Sequence, residues 1–532
     1  MSEDWDYIVV GAGSAGCVMA NRLSAGGINK VMLLEAGRKD RNPWIHIPVG
    51  YYKTMYSSWS WGYETEPEPG LNDRPIIWPR GKTLGGSSAI NGLIYIRGQH
   101  QDYDHWRQLG NEGWGWDDVL PYFKKAEDNQ GGATELRGKG GPLKVSDIPD
   151  RREICDAFIA AAVEEGLPAN DDFNGPQQEG VGLFQTTSRD GFRCSSAVGY
   201  LNPVKFRQNL HIETEALATG LIIEEGRAVG VRYTKAGTPQ TARCKGEIVL
   251  CGGAINSPQL LQLSGIGPGA LLQEHGIEVV RELPGVGQDL QDHLQIRSLY
   301  RLNKPISVND DVNNLMRRAM VGVQWALRRQ GPLTFAAGFA GAFAKVLPES
   351  ATPDVQFHFI PFSADKPGEG LHPWPGVTSS VCQLRPESRG EITIKSKDPT
   401  EHPKIVANYL STEYDRRVLI EGLKLSRRIS QQASFAQHVE EEVEPGLDCQ
   451  DDEALLEHIR ARGNTIYHPT STCRMGSDDR AVVDARLRVH GLGGLRIADC
   501  SIMPTVPSGN TSAPAIMVGE KCAAMMLEDA GA

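Results

Sequence analysis

Residues 6–36 read DYIVVGAGSAGCVMANRLSAGGINKVMLLEA, and this stretch decides the fold. DYIVVG (6–11) is a short apolar run of the kind a buried parallel strand shows. GAGSAG follows, and CVMANRLSAGG then carries apolar residues at helical spacing. KVMLLEA (30–36) is a second strand. Strand, glycine turn, helix and strand within about 30 residues make a βαβ unit. In such a unit Gly11 allows the tight turn, Gly13 lets the backbone reach a pyrophosphate, and Gly16 lets the helix pack on the strand. The helix N-terminus offers the phosphates unpaired N–H groups and the positive end of its dipole. Glu35 ends the second strand, 19 residues after Gly16, where a carboxylate takes both hydroxyls of an adenosine ribose. The unit predicts a dinucleotide site. It does not separate FAD from NAD, but an acidic residue at this strand end argues against NADP.

The rest of the composition narrows the class. At roughly 150 residues per domain, 532 residues are two to four domains' worth of chain. Apolar residues at 40% and charged residues at 23% fit a globular protein. The net charge of −11 disfavours nucleic acid as a partner. No run approaches the ~20 apolar residues of a membrane span, and the acidic opening MSEDWD argues against a signal peptide. The ten cysteines are scattered, with no Cys-x-x-Cys pair and no metal spacing, which predicts reduced thiols in a cytoplasmic protein and no metal site. The basic helix NNLMRRAMVGVQWALRR (313–329) reads as a solvated face, with a weak peripheral contact at the inner membrane surface as the alternative.

Along the chain, 63–95 reads as an extended loop over the cofactor and 102–127 as helical. Residues 152–166 form an amphipathic helix that stops at Gly166. The alternation over 210–251 predicts antiparallel strands with a turn at Glu225-Gly226. EIVLCGGA (247–254) is a buried strand, followed by a helix with Ser257 as N-cap and Pro258 at its first position. Residues 300–465 change style, with β-like runs at 354–362, 380–386 and 391–396 and a helix near 413–432. Residues 481–532 return to the first style. The predicted fold class is α/β, α+β overall. One domain takes 1–155, 200–300 and 475–532, and a discontinuous second domain takes 156–199 and 301–474.

Further motifs are specific. GKTLGGSSAIN (81–91), with Tyr95 and Gly98 beyond it, and GAINSPQLLQLSGIG (253–267) join PGVGQDLQDH (284–293), HPTSTCRMG (468–476) and NTSAPAIMVGEK (510–521). With GAGSAG they resemble the glucose-methanol-choline oxidoreductase family, and most nearly its branch of bacterial choline and aliphatic-alcohol dehydrogenases. The resemblance implies FAD in a glutathione-reductase-like Rossmann domain, beside a substrate domain built on an antiparallel sheet with helices. It implies that Ser14, Ala15 and Glu35 contact the ADP half and that Ala218, where Val is usual, touches the adenine. Gly85, Gly86, Ser87 and Ser88, and the run from Asn91 to Ile94, are implied on the flavin side. Ile90 stands where some relatives carry a flavin-linking His, so the FAD is expected to be non-covalent. Asp289 stands where Asn is commoner. Ile466 and Tyr467 are implied near the flavin ring, and Asp499 with the loop after it near the ribityl and phosphate region.

Alcohol oxidation needs a base for the hydroxyl proton, which favours His. Composition does not choose among thirteen histidines. By the resemblance His468 is that base, and Pro469 keeps it out of a helix. Its implied partner is Asn510, followed by Thr511, with an amide that holds the substrate oxygen so that the α-C–H faces flavin N(5). A helix beginning near Pro514 is implied at the flavin N(1)–C(2)=O edge. His293 reads as a structural neighbour of the site, and His358 and Trp374 as packing rather than pocket. No Gly-x-Ser-x-Gly elbow supports hydrolase chemistry. The expected function is oxidation of a primary alcohol to an aldehyde, with a quinone or protein carrier as the favoured final acceptor. The alternatives are an oxygen-using oxidase that makes hydrogen peroxide and, more remotely, a hydroxynitrile-lyase-like flavoprotein without redox turnover.

Overall fold

The strand Trp5–Val10 is buried along its last four residues because it pairs on both sides. The structure, a computed structural model, describes residues 4–365 and 370–531. Five strands run parallel in the order Leu210–Thr214, Val31–Glu35, Trp5–Val10, the end of Thr238–Leu250, and Leu495–Ile497. The helices Ser14–Leu23 and Ser512–Asp529 pack together beside this sheet, so chain ends 500 residues apart in sequence close one core. The sheet has a second character at one edge. Ala216–Glu224 and Arg227–Lys235 form a hairpin whose turn residues, Glu225 and Gly226, both take positive φ (49° and 73°), as a tight two-residue turn requires. The hairpin pairs antiparallel with the first half of Thr238–Leu250, and the second half of that strand turns parallel to Trp5–Val10. The alternation over 210–251 was therefore only partly antiparallel: Leu210–Thr214 and the end at Leu250 are parallel strands with both faces covered.

A second sheet is wholly antiparallel, in the order Val439–Glu444, Leu294–Leu302, Gly376–Gln383, Val355–Ile360, Ala340–Ala344 and Gly180–Leu183, with Asn464–Thr465 paired to the start of Leu294–Leu302. The helices Glu153–Glu164 and Glu413–Gln431 cover one of its faces. Two elements bear on the expected boundaries at 155 and 300. Leu294–Leu302 pairs only within this sheet, although residues up to 300 were assigned to the first body. Glu153–Glu164 packs on this sheet although its first residues fell in the first segment. An unbroken strand or helix buries one continuous face, so neither can be divided between cores.

The helix after Leu250 begins at Gly253, not at Pro258. Ser257 lies one turn inside it, and its Oγ accepts from Gly252 N–H and donates to Asp499. The last helix begins at Ser512, one turn's edge before Pro514. The basic helix Leu315–Arg328 has no buried residue, and Leu315, Met316, Met320, Val323 and Leu327 are exposed along it. No described helix is long and apolar enough to cross a membrane. Among the described residues no group of acidic, His or Cys side chains could hold a metal ion, and all ten cysteines are free.

Candidate active site

One cavity of about 700 Å³ lies between the two sheets. Its first wall is the Gly11–Ala15 turn. A Cβ on Gly11 would stand 2.5 Å from Cys251 O, and one on Gly16 would stand 1.8 Å from Gly11 O. These two glycines exist for backbone packing. Gly13 differs: its φ of −79° suits any residue, and a Cβ there would meet only Cys251 O at 3.8 Å. Its bare Cα therefore keeps space open in the cavity rather than in the protein. The helix Ser14–Leu23 starts here with no side-chain cap, and Ser14 and Ala15 line the cavity. Its first N–H groups are left for an anion.

Glu35 is buried on the next strand. Its Oε1 accepts from Gly37 N–H (2.7 Å) and its Oε2 from Ala12 N–H (2.9 Å). Burial pushes its pKa up to about 7, against those two N–H groups. Each oxygen keeps a lone pair toward the cavity, which suits a pair of hydroxyl donors. Ala218 lines the same end from its strand.

The second glycine turn is docked on the first. Gly85 N–H donates to Ala12 O (2.8 Å), and Ser88 Oγ bonds Ser196 Oγ (2.8 Å), which in turn donates to Gly13 O (3.2 Å). Gly86 takes φ +50°, and a Cβ on it would stand 2.7 Å from Gly13 Cα. Gly86, Ser88, Ile90, Asn91 and Ile94 line the cavity. Gly16 and Gly85 do not; they shape its wall from behind, because their space is filled by backbone and by Ala197. Asn91 Oδ1 accepts from Arg193 (2.6 Å) and from Leu93 N–H (3.2 Å), which fixes the following run. Asp499 reaches the cavity wall, but its oxygens are taken by Gly253 N–H, Ser257 Oγ and Ser501 N–H, so it ties two loops together. Thr511 and Ser512 bring a second helix N-terminus without a side-chain cap to the cavity. A ribose-ready carboxylate, bare glycine turns and two open helix ends fit an elongated anionic dinucleotide such as FAD. The residue at 90 is an isoleucine, packed with Ile45, Met55 and Ala89, and offers no nucleophile for a covalent link.

At the other end stand three histidines. His468 Nε2 lies 3.2 Å from Asn510 Nδ2, and its Nδ1 lies 3.0 Å from His293 Nδ1. His293 Nε2 lies 3.0 Å from Leu384 O, a carbonyl that can only accept. That contact sets the whole chain. The proton of neutral His293 must sit on Nε2, so its Nδ1 accepts. His468 must then donate from Nδ1, which leaves the Nε2 lone pair facing Asn510 and the cavity. Burial keeps both rings neutral: it lowers the pKa of His293 to about 4, and that of His468 well below the usual value with His293 and His358 adding to the effect.

The backbone around His468 is held just as firmly. Its N–H donates to Asp292 Oδ1 (2.7 Å), and Asp292 Oδ2 accepts from Thr465 Oγ1 (2.5 Å) and from the Tyr409 hydroxyl. Tyr467 takes φ 70°; its carbonyl accepts from Arg80 (2.7 Å) and its hydroxyl bonds that of Tyr56 (2.9 Å). Asn510 Oδ1 accepts from Gln356 Nε2 (3.2 Å), which aims the Nδ2 donors at His468. His358 is buried two residues after Gln356 on the same strand. Both its ring nitrogens lack a hydrogen-bond partner among the described residues, and burial lowers its pKa to about 3. His358 thus faces the cavity and is not mere packing, because a strand alternates its side chains and Gln356 already points to Asn510. His293 likewise touches the candidate base directly. Asp292, Arg80 and Gln356 were not singled out from sequence. The Asp292-His293 pair lay inside a quoted motif, but nothing local tied it to residues 175 positions away.

The profiles described as GMC oxidoreductase match residues 5–295 and 386–519. An alcohol dehydrogenase [acceptor] of Pseudomonas putida is 44% identical over 530 residues, covering 98% of this chain and 96% of that protein. An oxygen-dependent choline dehydrogenase of Pectobacterium carotovorum is 41% identical over 526 residues, covering 98% and 94%. Among solved structures, pyridoxine 4-oxidase from Mesorbium loti superposes with a TM-score of 0.89 at 30% identity, covering 98% of this chain and 99% of that one.

Proposed function

This chain belongs to the GMC oxidoreductase family, and from that premise we propose that it oxidises a primary alcohol to an aldehyde with His468 as the base. FAD, when bound, supplies the two-electron acceptor for the hydride on the carbinol carbon. The remaining work falls to the protein. His468 Nε2 takes the hydroxyl proton, and the tautomer imposed through His293 keeps that nitrogen unprotonated beforehand. Asn510 Nδ2 donates to the substrate oxygen as negative charge develops on it. Burial of His468 limits the water that would otherwise compete for its Nε2. Glu35, Gly13, Ser14 and Ala15 are the residues that would hold the adenosine and pyrophosphate, with Gly86, Ser88, Asn91, Ile94, Tyr467 and Thr511 around the ring system.

The observation that carries this reading is the neutral His468, its lone pair fixed toward the cavity beside Asn510. The test is His468→Ala, purified beside the unaltered protein. It should keep its yellow flavin and lose flavin reduction by primary alcohols by about 10²–10⁴-fold. Unchanged reduction would remove His468 from the chemistry. The same alcohols added in air separate the acceptors. Lasting bleaching means a dehydrogenase that passes electrons to a quinone or protein carrier, the reading we favour. Recovery with hydrogen peroxide means an oxidase. The exposed apolar residues of Leu315–Arg328, flanked by arginines, support a weak contact with a membrane surface, and the ten free cysteines support a reducing, cytoplasmic setting.

A further inference from the structure

Alcohol oxidation, taken as proposed, leaves open which alcohol enters, and the antiparallel sheet bears on that choice. Arg297, Ser380 and His358 stand opposite one another in a single row across three strands. Gln356, two residues before His358 on the same strand, donates to Asn510 Oδ1, so that end of the row is the catalytic end. Two strand spacings, ~10 Å, separate His358 from Arg297 at the backbone. A second measure agrees. Arg297 follows His293 by four residues on one face of the chain, ~13 Å at ~3.3 Å per residue, and His293 touches His468.

Arg297 lines the cavity and is half-buried, yet its guanidinium has no hydrogen bond or ion pair among the described residues. The acidic residues lining the cavity, among those described, are Glu35, Asp311 and Asp499. All three are engaged. Glu35 holds two backbone N–H groups, Asp499 holds Gly253 and Ser257, and Asp311 pairs with Arg152 at 2.9 Å. Among the described residues the wall therefore offers no spare carboxylate to a cation, whereas two lining guanidiniums, the half-buried Arg297 and the exposed Arg318, have no acidic partner, and Arg297 is the one in the row with His358. A partly desolvated guanidinium without a partner is costly, and its planar fork matches a carboxylate through two parallel hydrogen bonds.

We propose that Arg297 receives a carboxylate on the substrate, so that the alcohol oxidised is an ω-hydroxy acid. The backbone span of ~10–13 Å, shortened by the reach of both side chains, corresponds to a spacer of several methylene groups between the carbinol and the carboxylate. A quaternary-ammonium alcohol meets the wrong charge at this position.

The test measures flavin reduction, with air excluded, by 6-hydroxyhexanoate, its uncharged amide, 6-amino-1-hexanol, 1-hexanol and choline. It is run on the flavin-loaded protein and on Arg297→Gln and Arg297→Glu, with flavin content checking that each variant folds. In the unaltered protein kcat/KM for the hydroxy acid should exceed that for the amide by about tenfold or more, chiefly through KM, the worth of a charge-assisted hydrogen bond. The ratio should fall to about one in Arg297→Gln. In Arg297→Glu it should invert, with 6-amino-1-hexanol gaining over the amide, which a merely structural role for Arg297 would not produce. Oxidation of 1-hexanol without preference for the acid, or a preference that survives both substitutions, overturns the assignment of Arg297 and leaves alcohol oxidation standing. No reduction by any of these alcohols overturns both.

Discussion

Replacing His293 tests the chain of imidazoles without touching the candidate base. His293 accepts from His468 Nδ1–H at 3.0 Å and is itself oriented by Leu384 O at 3.0 Å. In His293→Ala the His468 Nδ1–H is left buried without a partner, which costs about 1–3 kcal/mol. The other tautomer, with its proton on Nε2, escapes that cost but cannot accept a proton from the alcohol. At about 0.6 kcal/mol for RT, the productive tautomer falls to between about one fifth and one part in 150 relative to its present advantage. Asn510 Nδ2, a second donor facing Nε2, opposes the wrong tautomer and holds the loss toward the lower end. The rate of flavin reduction at saturating alcohol, followed by stopped flow with air excluded, should therefore drop by about 5- to 20-fold, with KM little changed. His293→Asn should recover part of it, because its Oδ1 stands where Nδ1 did and can accept from His468 Nδ1–H. Equal rates in Ala and Asn variants, or an Ala variant with full flavin and an unchanged rate, would refute the argument from Leu384.

Two further predictions follow from the same geometry. Gly13→Ala should fold yet lose bound FAD, read as the ratio of flavin to protein absorbance, while Gly16→Ala should fail to give folded protein at all, because its Cβ would stand 1.8 Å from Gly11 O whereas that of Gly13 meets only cavity; a Gly13→Ala protein with full flavin would contradict the cradle. The rate of flavin reduction should stay level as pH falls from 8 to 6.5 and decline only below that, since burial holds the His468 pKa under its usual 6.5 and the neutral form is the active one; an acid limb centred above 6.5 would contradict it.

The parts of this protein legible in its sequence are those whose physics is local. Gly11, Gly13, Gly16 and Glu35 fall within one βαβ unit, so their spacing alone suggests a phosphate and ribose site, and the structure separates the packing glycines from the open one. The strand pattern at 210–251 was half legible. Alternation finds a hairpin, but a strand that is antiparallel in its first half and parallel in its second has no local signature. The proposed catalytic end is pointed to in the sequence only by resemblance, because its partners are distant in the chain. His468 is aimed by His293, Asp292 and Asn510, and Asn510 by Gln356, each from a different element. His358 shows why composition misleads there. In FHF it looks like one more buried ring, and only the pairing of its strand reveals that its face carries Gln356, His358 and, two strands across, Arg297. The burial that makes these three histidines poor cations is the same burial that favours a neutral His468, as the proposed base requires, and that coupling belongs to the assembled site rather than to any residue in it.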